Sequence, residues 1–146
     1  MLETSQASLF TPRIHVTRPL RKQRRHGALM ERMDVCLRHF PELADQKVTV
    51  GVTKVAEGIA VFEDLTVRFN LRRGVPSHYT IGHELTHLLQ ALRLVPHGEV
   101  QCDIWTLARG RRFADEIPCY LQLPVPMRRT YIHWLKQELA RLTPDN

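Results

Sequence analysis

Residues 77–92 read SHYTIGHELTHLLQAL, and the fold turns on whether this is a core helix carrying a metal site or an ordinary amphipathic one. Ser77 precedes the apolar pattern as a helix N-cap. Ile81, Leu85, Leu88 and Leu92 recur at three- and four-residue steps, the stripe that seats a helix on a core. His83 and His87 are four residues apart, about 40° round the axis and one turn in height, so both imidazoles can meet one ion. Glu84 falls beside that ion rather than on it, the place for a general base. An H-x-x-x-H pair alone is more often a surface feature. The full H-E-x-x-H pattern, by contrast, arises by chance in roughly 0.03 chains of this length and composition. Gly82 costs a helix about 1 kcal/mol relative to Ala, which predicts a strand packed closely against that turn.

A catalytic zinc usually takes three protein ligands and leaves a fourth position open, so two histidines are not enough. Downstream, PHGEVQCDIW (96–105) supplies Glu99 and Asp103, again four residues apart. One carboxylate could complete the shell, with Asp103 or His97 as alternatives to Glu99. The other could accept the free N–H of a liganding histidine and fix its tautomer. Such a pair is also commonly a solvated helix face, but here the Pro96-His97-Gly98 turn would bring one helix back beside the other.

These residues resemble the zincin metallopeptidases, and within them the gluzincins, whose H-E-x-x-H helix precedes a helix bearing E-x-x-x-D. The resemblance covers about residues 45 to 110. It implies zinc held by His83, His87 and Glu99, Glu84 as general base, and Asp103 supporting a histidine ligand. It also implies that the strand before the motif helix pairs with extended peptide substrates, with LTVRFNL (65–71) as that strand. The metzincin continuation fails, since Gln90 and Arg93 stand where Gly and His are required. His97-Gly98 resembles the H-G pair of the SprT-like group, which supplies its third ligand from a histidine and acts near DNA. An oxyanion donor beyond the third ligand would come from Tyr120, Tyr131 or His133.

The rest of the chain frames this site. With 146 residues and 43% hydrophobic content, it predicts a single domain over 1–146 with a loose arm at 1–17, in which RIHVT could pair as a strand. The apolar spacing of Leu29, Met33, Cys36, Leu37 and Phe40 describes one helix over 20–40. KVTVGVTKV, GIAVF and LTVRFNL then alternate as strands of a small, mainly antiparallel sheet. A further helix over 98–108 would bury Val100, Ile104, Leu107 and Ala108. A last one over 127–142, after the prolines at 118, 124 and 126, would bury Ile132, Leu135, Leu139 and Leu142. The expected architecture is α+β and zincin-like.

No run approaches the roughly 18 to 20 apolar residues of a membrane span, and MLETSQASLF lacks the features of a signal peptide. Cys36, Cys102 and Cys119 form no C-x-x-C pair and read as core residues of a cytosolic protein. Net charge +6, with Arg18, Arg21, Lys22, Arg24 and Arg25 clustered, leaves nucleic acid open as a partner beside a solvated helix start. The expected function is zinc-dependent hydrolysis of peptide bonds in a peptide or protein substrate, with a possibility of latency. A non-catalytic or SprT-like nucleic-acid binder is the alternative.

Overall fold

The computed structural model describes residues 12–121 and 128–142. The chain is mixed α and β: β1 (Arg13–Val16), α1 (Arg18–Arg21), α2 (His26–Leu37), β2 (Lys47–Val52), β3 (Gly58–Val61), β4 (Thr66–Phe69), α3 (His78–Ala91), α4 (Glu99–Leu107) and α5 (Arg128–Leu142). RIHV is thus a strand, and residues 1–11 of the expected arm lie outside the described part, as do Pro124 and Pro126. Among the described residues no helix is long and apolar enough to cross a membrane.

The sheet order is β1-β2-β4-β3, and it corrects the expected antiparallel arrangement. β1 runs parallel to β2, and β2 parallel to β4; only β3 is antiparallel to its neighbour β4. The alternation of Val48, Val50 and Val52 is the same whichever neighbour a strand takes. Sequence order favours pairing β2 with β3, because consecutive strands usually pair. Here β4 inserts between them, aligning Val50 with Val67, and β3 becomes an antiparallel edge.

The helix expected over 20–40 is broken. Leu20 and Leu29 are both buried, but nothing apolar between Lys22 and Arg25 ties that stretch to the core, and the chain turns there. Arg25 instead donates to the Leu71 carbonyl at 2.7 Å. Leu29, Met33, Leu37, Val48, Val50, Val67 and Phe69 join Ile81, Leu85, Leu88 and Leu89 in one core, which seats α3 against the sheet. Ser77 caps α3 as expected, accepting from the Thr80 N–H at 3.0 Å.

On α4 the expected inward face is largely wrong. Val100, Ile104 and Ala108 are exposed, whereas Cys102, Asp103, Thr106 and Leu107 are buried. The contact with α3 is polar and close: Thr86 Oγ1 lies 2.8 Å from Thr106 Oγ1 and donates to the Gly82 carbonyl at 2.7 Å. A Cβ on Gly82 would come within 2.6 Å of the Phe113 ring and 3.1 Å of Thr106. The neighbour requiring glycine is therefore α4 with the 3-10 turn Arg111–Ala114, not a strand. Leu135 of α5 is buried in a second cluster with Tyr79, Leu107 and Ala114; the side chains of Ile132, Leu139 and Leu142 lie outside the described residues.

Candidate metal centre

The turn at 96–98 reverses the chain so that α4 starts beside the histidines of α3. Gly98 adopts φ 106°, a left-handed conformation that glycine tolerates and other residues resist. Glu99 then opens α4 with its Oε2 3.2 Å from His83 Nε2 and 3.3 Å from His87 Nε2. Donor atoms at zinc-like bond lengths of about 2.0–2.1 Å in a tetrahedron are about 3.3–3.4 Å apart, so the separations match the edges of a zinc polyhedron. The two imidazole rings meet edge to face, 4.7 Å between centroids.

Cys102 offers a second donor set: its Sγ and nitrogens of His83 and His87 lie within 4.8 Å of one another, and these three residues could hold a metal ion. The two sets differ in exposure. Cys102 is fully buried and its thiol donates to the His83 carbonyl at 3.2 Å. Burial, with the carboxylates of Glu99, Glu84 and Asp103 adding to it, holds that thiol far above its ordinary range. The Glu99 side chain is 43% exposed and reaches the imidazoles from the open side.

Each histidine has its own support. His83 Nδ1 donates to Asp103 Oδ1 at 3.0 Å, leaving Nε2 as the free lone pair. Asp103 is fully buried, and its carboxylate also accepts from the Tyr79 hydroxyl and, at 2.8 Å, from the Tyr120 N–H. Burial pulls the His83 imidazole toward neutrality. The Asp103 hydrogen bond and the charges of Glu84, Asp103 and Glu99 outweigh it, and the net shift is upward. Burial and the bond to Asp103 hold Tyr79 well above an ordinary phenol, so it acts as a donor.

His87 is held by a residue the sequence analysis passed over. Gln90 Oε1 lies 2.7 Å from His87 Nδ1, and Gln90 Nε2 donates to the carbonyls of Pro96 at 2.8 Å and Gly98 at 3.0 Å. With both amide hydrogens on carbonyls, only the oxygen is left to face the imidazole, so Nδ1 carries the proton and Nε2 is directed to the metal position. The same side chain anchors the turn that delivers Glu99. Its spacing of three from His87 was the available signal.

Glu84 is 7% exposed and lies on the β3 side of α3. Its carboxylate packs so tightly on Gly58 that a Cβ there would sit 2.9 Å from Oε2. Burial pushes the Glu84 carboxyl up to about 7, the His83 imidazole opposing the shift and Glu99 adding to it. That places its proton affinity where a general base works near neutrality.

The remaining candidates separate clearly. Tyr120 is at the site, its ring stacked over His83 at 6.0 Å between centroids and 17° between planes. Tyr131 packs instead with the Tyr79, Leu107 and Leu135 cluster, and His133 is exposed on α5. His97 is exposed in the turn. Cys36 and Cys102 are buried as expected, but Cys119 is exposed: its backbone N–H reaches the Tyr79 hydroxyl at 3.2 Å while the residue itself stays at the surface. β4, holding most of LTVRFNL, has β2 on one side and β3 on the other, which leaves no free edge for a peptide. The strand beside Glu84 with an unpaired edge among the described residues is β3. No family model, no curated protein and no solved structure matches this chain, and its functional reading rests on this geometry.

Proposed function

We propose that this chain is a zinc-dependent peptidase of a minimal gluzincin-like kind, with His83, His87 and Glu99 as ligands and Glu84 as general base. One observation carries the reading: Glu99 Oε2 stands 3.2 and 3.3 Å from the two Nε2 atoms, while buried Glu84 lies against Gly58 of the edge strand β3. When bound, zinc supplies Lewis acidity, polarising the scissile carbonyl and acidifying the attacking water. Every other part belongs to the chain. His83 and His87 present Nε2 because Asp103 and Gln90 hold their Nδ1 protons. Glu84 takes a proton from the water and returns it to the leaving nitrogen. The free edge of β3 pairs with the extended substrate, and the Tyr120 hydroxyl is the nearest donor of the three considered for the developing oxyanion.

Purified protein loaded with zinc and offered a mixture of unstructured peptides tests this directly. Cleavage that disappears on chelation and returns with zinc is the expected result; intact peptides at one equivalent of bound zinc would defeat the reading. A nucleic-acid-binding alternative draws on exposed Arg18, Arg21, Lys22 and Arg24. It requires an oligonucleotide affinity that falls steeply between about 50 and 200 mM salt.

A further inference from the structure

β3 and α3 cross the site in the same sense: Gly58 touches Glu84, and further along the Phe62 ring lies 5.9 Å from that of His87. In the other direction, Lys54 and Glu57 ahead of β3 line a cavity of about 470 Å³ together with the cap Ser77 and Thr80 of α3. The cavity therefore lies beyond the Gly58–Glu84 contact, on the Glu57 side of it. Thr80 is about 6 Å and Ser77 about 10 Å along the helix from Glu84, at about 1.5 Å per residue. An extended peptide covers that distance in roughly two to three residues.

The chemistry of the cavity is cationic. Lys54, Arg72 and Arg73 line it, all three are exposed, and none forms an ion pair among the described residues. Of the two lining carboxylates, Glu116 is committed, accepting from Ser77 Oγ at 2.8 Å and Thr80 Oγ1 at 2.9 Å. The end of α3 adds little, because Asp115 already accepts from the His78 and Tyr79 N–H groups at 2.9 Å. The loop carrying Arg72 and Arg73 is pinned on both sides. Arg25 donates to the Leu71 carbonyl, and Arg32 donates to the Pro76 carbonyl, each at 2.7 Å. With Glu57 and Glu116 also in the lining, three cations face two carboxylates, and the remaining positive charge favours the entry of an anion.

We propose that this cavity is a specificity subsite taking an acidic side chain of the polypeptide substrate, two to three residues from the scissile bond on the Glu57 side. Arg72 and Arg73 present guanidinium forks suited to a carboxylate, and Lys54 adds a point charge. The assignment rests on the peptidase reading for its register, but recognition of the carboxylate does not need turnover.

Binding is measured by fluorescence anisotropy on zinc-loaded Glu84→Gln protein, with one peptide sequence carrying Glu, Gln or Lys at each position in turn. Glu at one or two adjacent positions should tighten binding about tenfold over Gln, as one charge-assisted hydrogen bond allows. The Arg72→Ala/Arg73→Ala double variant should abolish that preference with zinc content unchanged. Equal affinity for the Glu and Gln peptides overturns the subsite. So does a single-stranded oligonucleotide that binds at the same arginines more tightly than the Glu peptide. If the Glu preference stands in binding while zinc-loaded wild type cleaves none of the peptides, the subsite holds and the peptidase reading falls. If wild type cleaves them with no acidic preference, the reverse is true.

Discussion

The two flanks of the motif helix are built on opposite rules. Toward α4 the polar groups around the metal position are partnered: His83 on Asp103, His87 on Gln90, Asp103 on Tyr79 and on the Tyr120 N–H. Toward β3, Glu84 is as buried as His83, yet no hydrogen bond reaches its carboxylate among the described residues, and Gly58 lies against it. Hydrogen bonds to Nδ1 aim a ligand and fix its tautomer. A carboxylate without such bonds keeps a raised proton affinity, which suits it to move a proton rather than hold a metal. On the proposed reading, the same helix carries partnered ligands on one flank and a base without a hydrogen-bond partner on the other.

The largest effects should come from exchanging these roles. Glu84→Gln should lower peptide hydrolysis by about 10²- to 10⁴-fold while zinc content, read by atomic emission, stays at the wild-type level. A fully active variant would break the contrast at its centre. Among the ligands, Glu99→Ala should weaken zinc by more than the roughly 10- to 100-fold expected of an outer support, and Cys102→Ala should leave it close to wild type. The reverse order in a chelator competition would transfer the third ligand to the thiol.

Next in size are the supports. Asp103→Ala and Gln90→Leu should each cost about 10- to 100-fold in zinc affinity, with Asp103 the more severe because its charge as well as its geometry is lost. Gln90→Glu keeps an acceptor for His87 but gives up the bonds to Pro96 and Gly98, so it should recover only part of the loss. Full recovery would mean that the 96–98 turn needs no anchor.

On the β3 flank, Gly58→Ala forces Glu84 to move and should reduce hydrolysis roughly 10- to 100-fold without changing zinc affinity. The smallest effect is on stability. Because Glu84 binds its proton more tightly in the folded chain, it favours folding below its unfolded value near 4.5, and that contribution is lost as pH rises through about 7. Metal-free Glu84→Gln should therefore melt above wild type at pH 8, and the gap should close at pH 5. A gap that widens toward acid would mean that Glu84 has a stabilising partner in the folded chain.

Helical features of the site were legible because they are local. A period of 3.6 residues relates His83, Glu84, His87 and the apolar stripe, and the Ser77 cap is likewise short-range. The inward face of α4 was misread for a related reason. Apolar periodicity points to Val100 and Ile104, but that helix docks through Asp103 and Thr106, whose burial depends on partners twenty or more residues away.

By itself the sequence determined the motif helix, its cap, the spacing that lets two imidazoles meet, and the turn that returns two carboxylates. All of these follow from backbone geometry within a few residues. Only the tertiary structure decided the strand order, which makes β3 rather than β4 the open edge. It also decided that Gln90 and not solvent faces His87, and that Glu99 approaches the imidazoles from the open side while Cys102 stays bonded to a carbonyl. Those outcomes depend on which distant surfaces pack together, and hydrophobic period is blind to that when the contacts are polar.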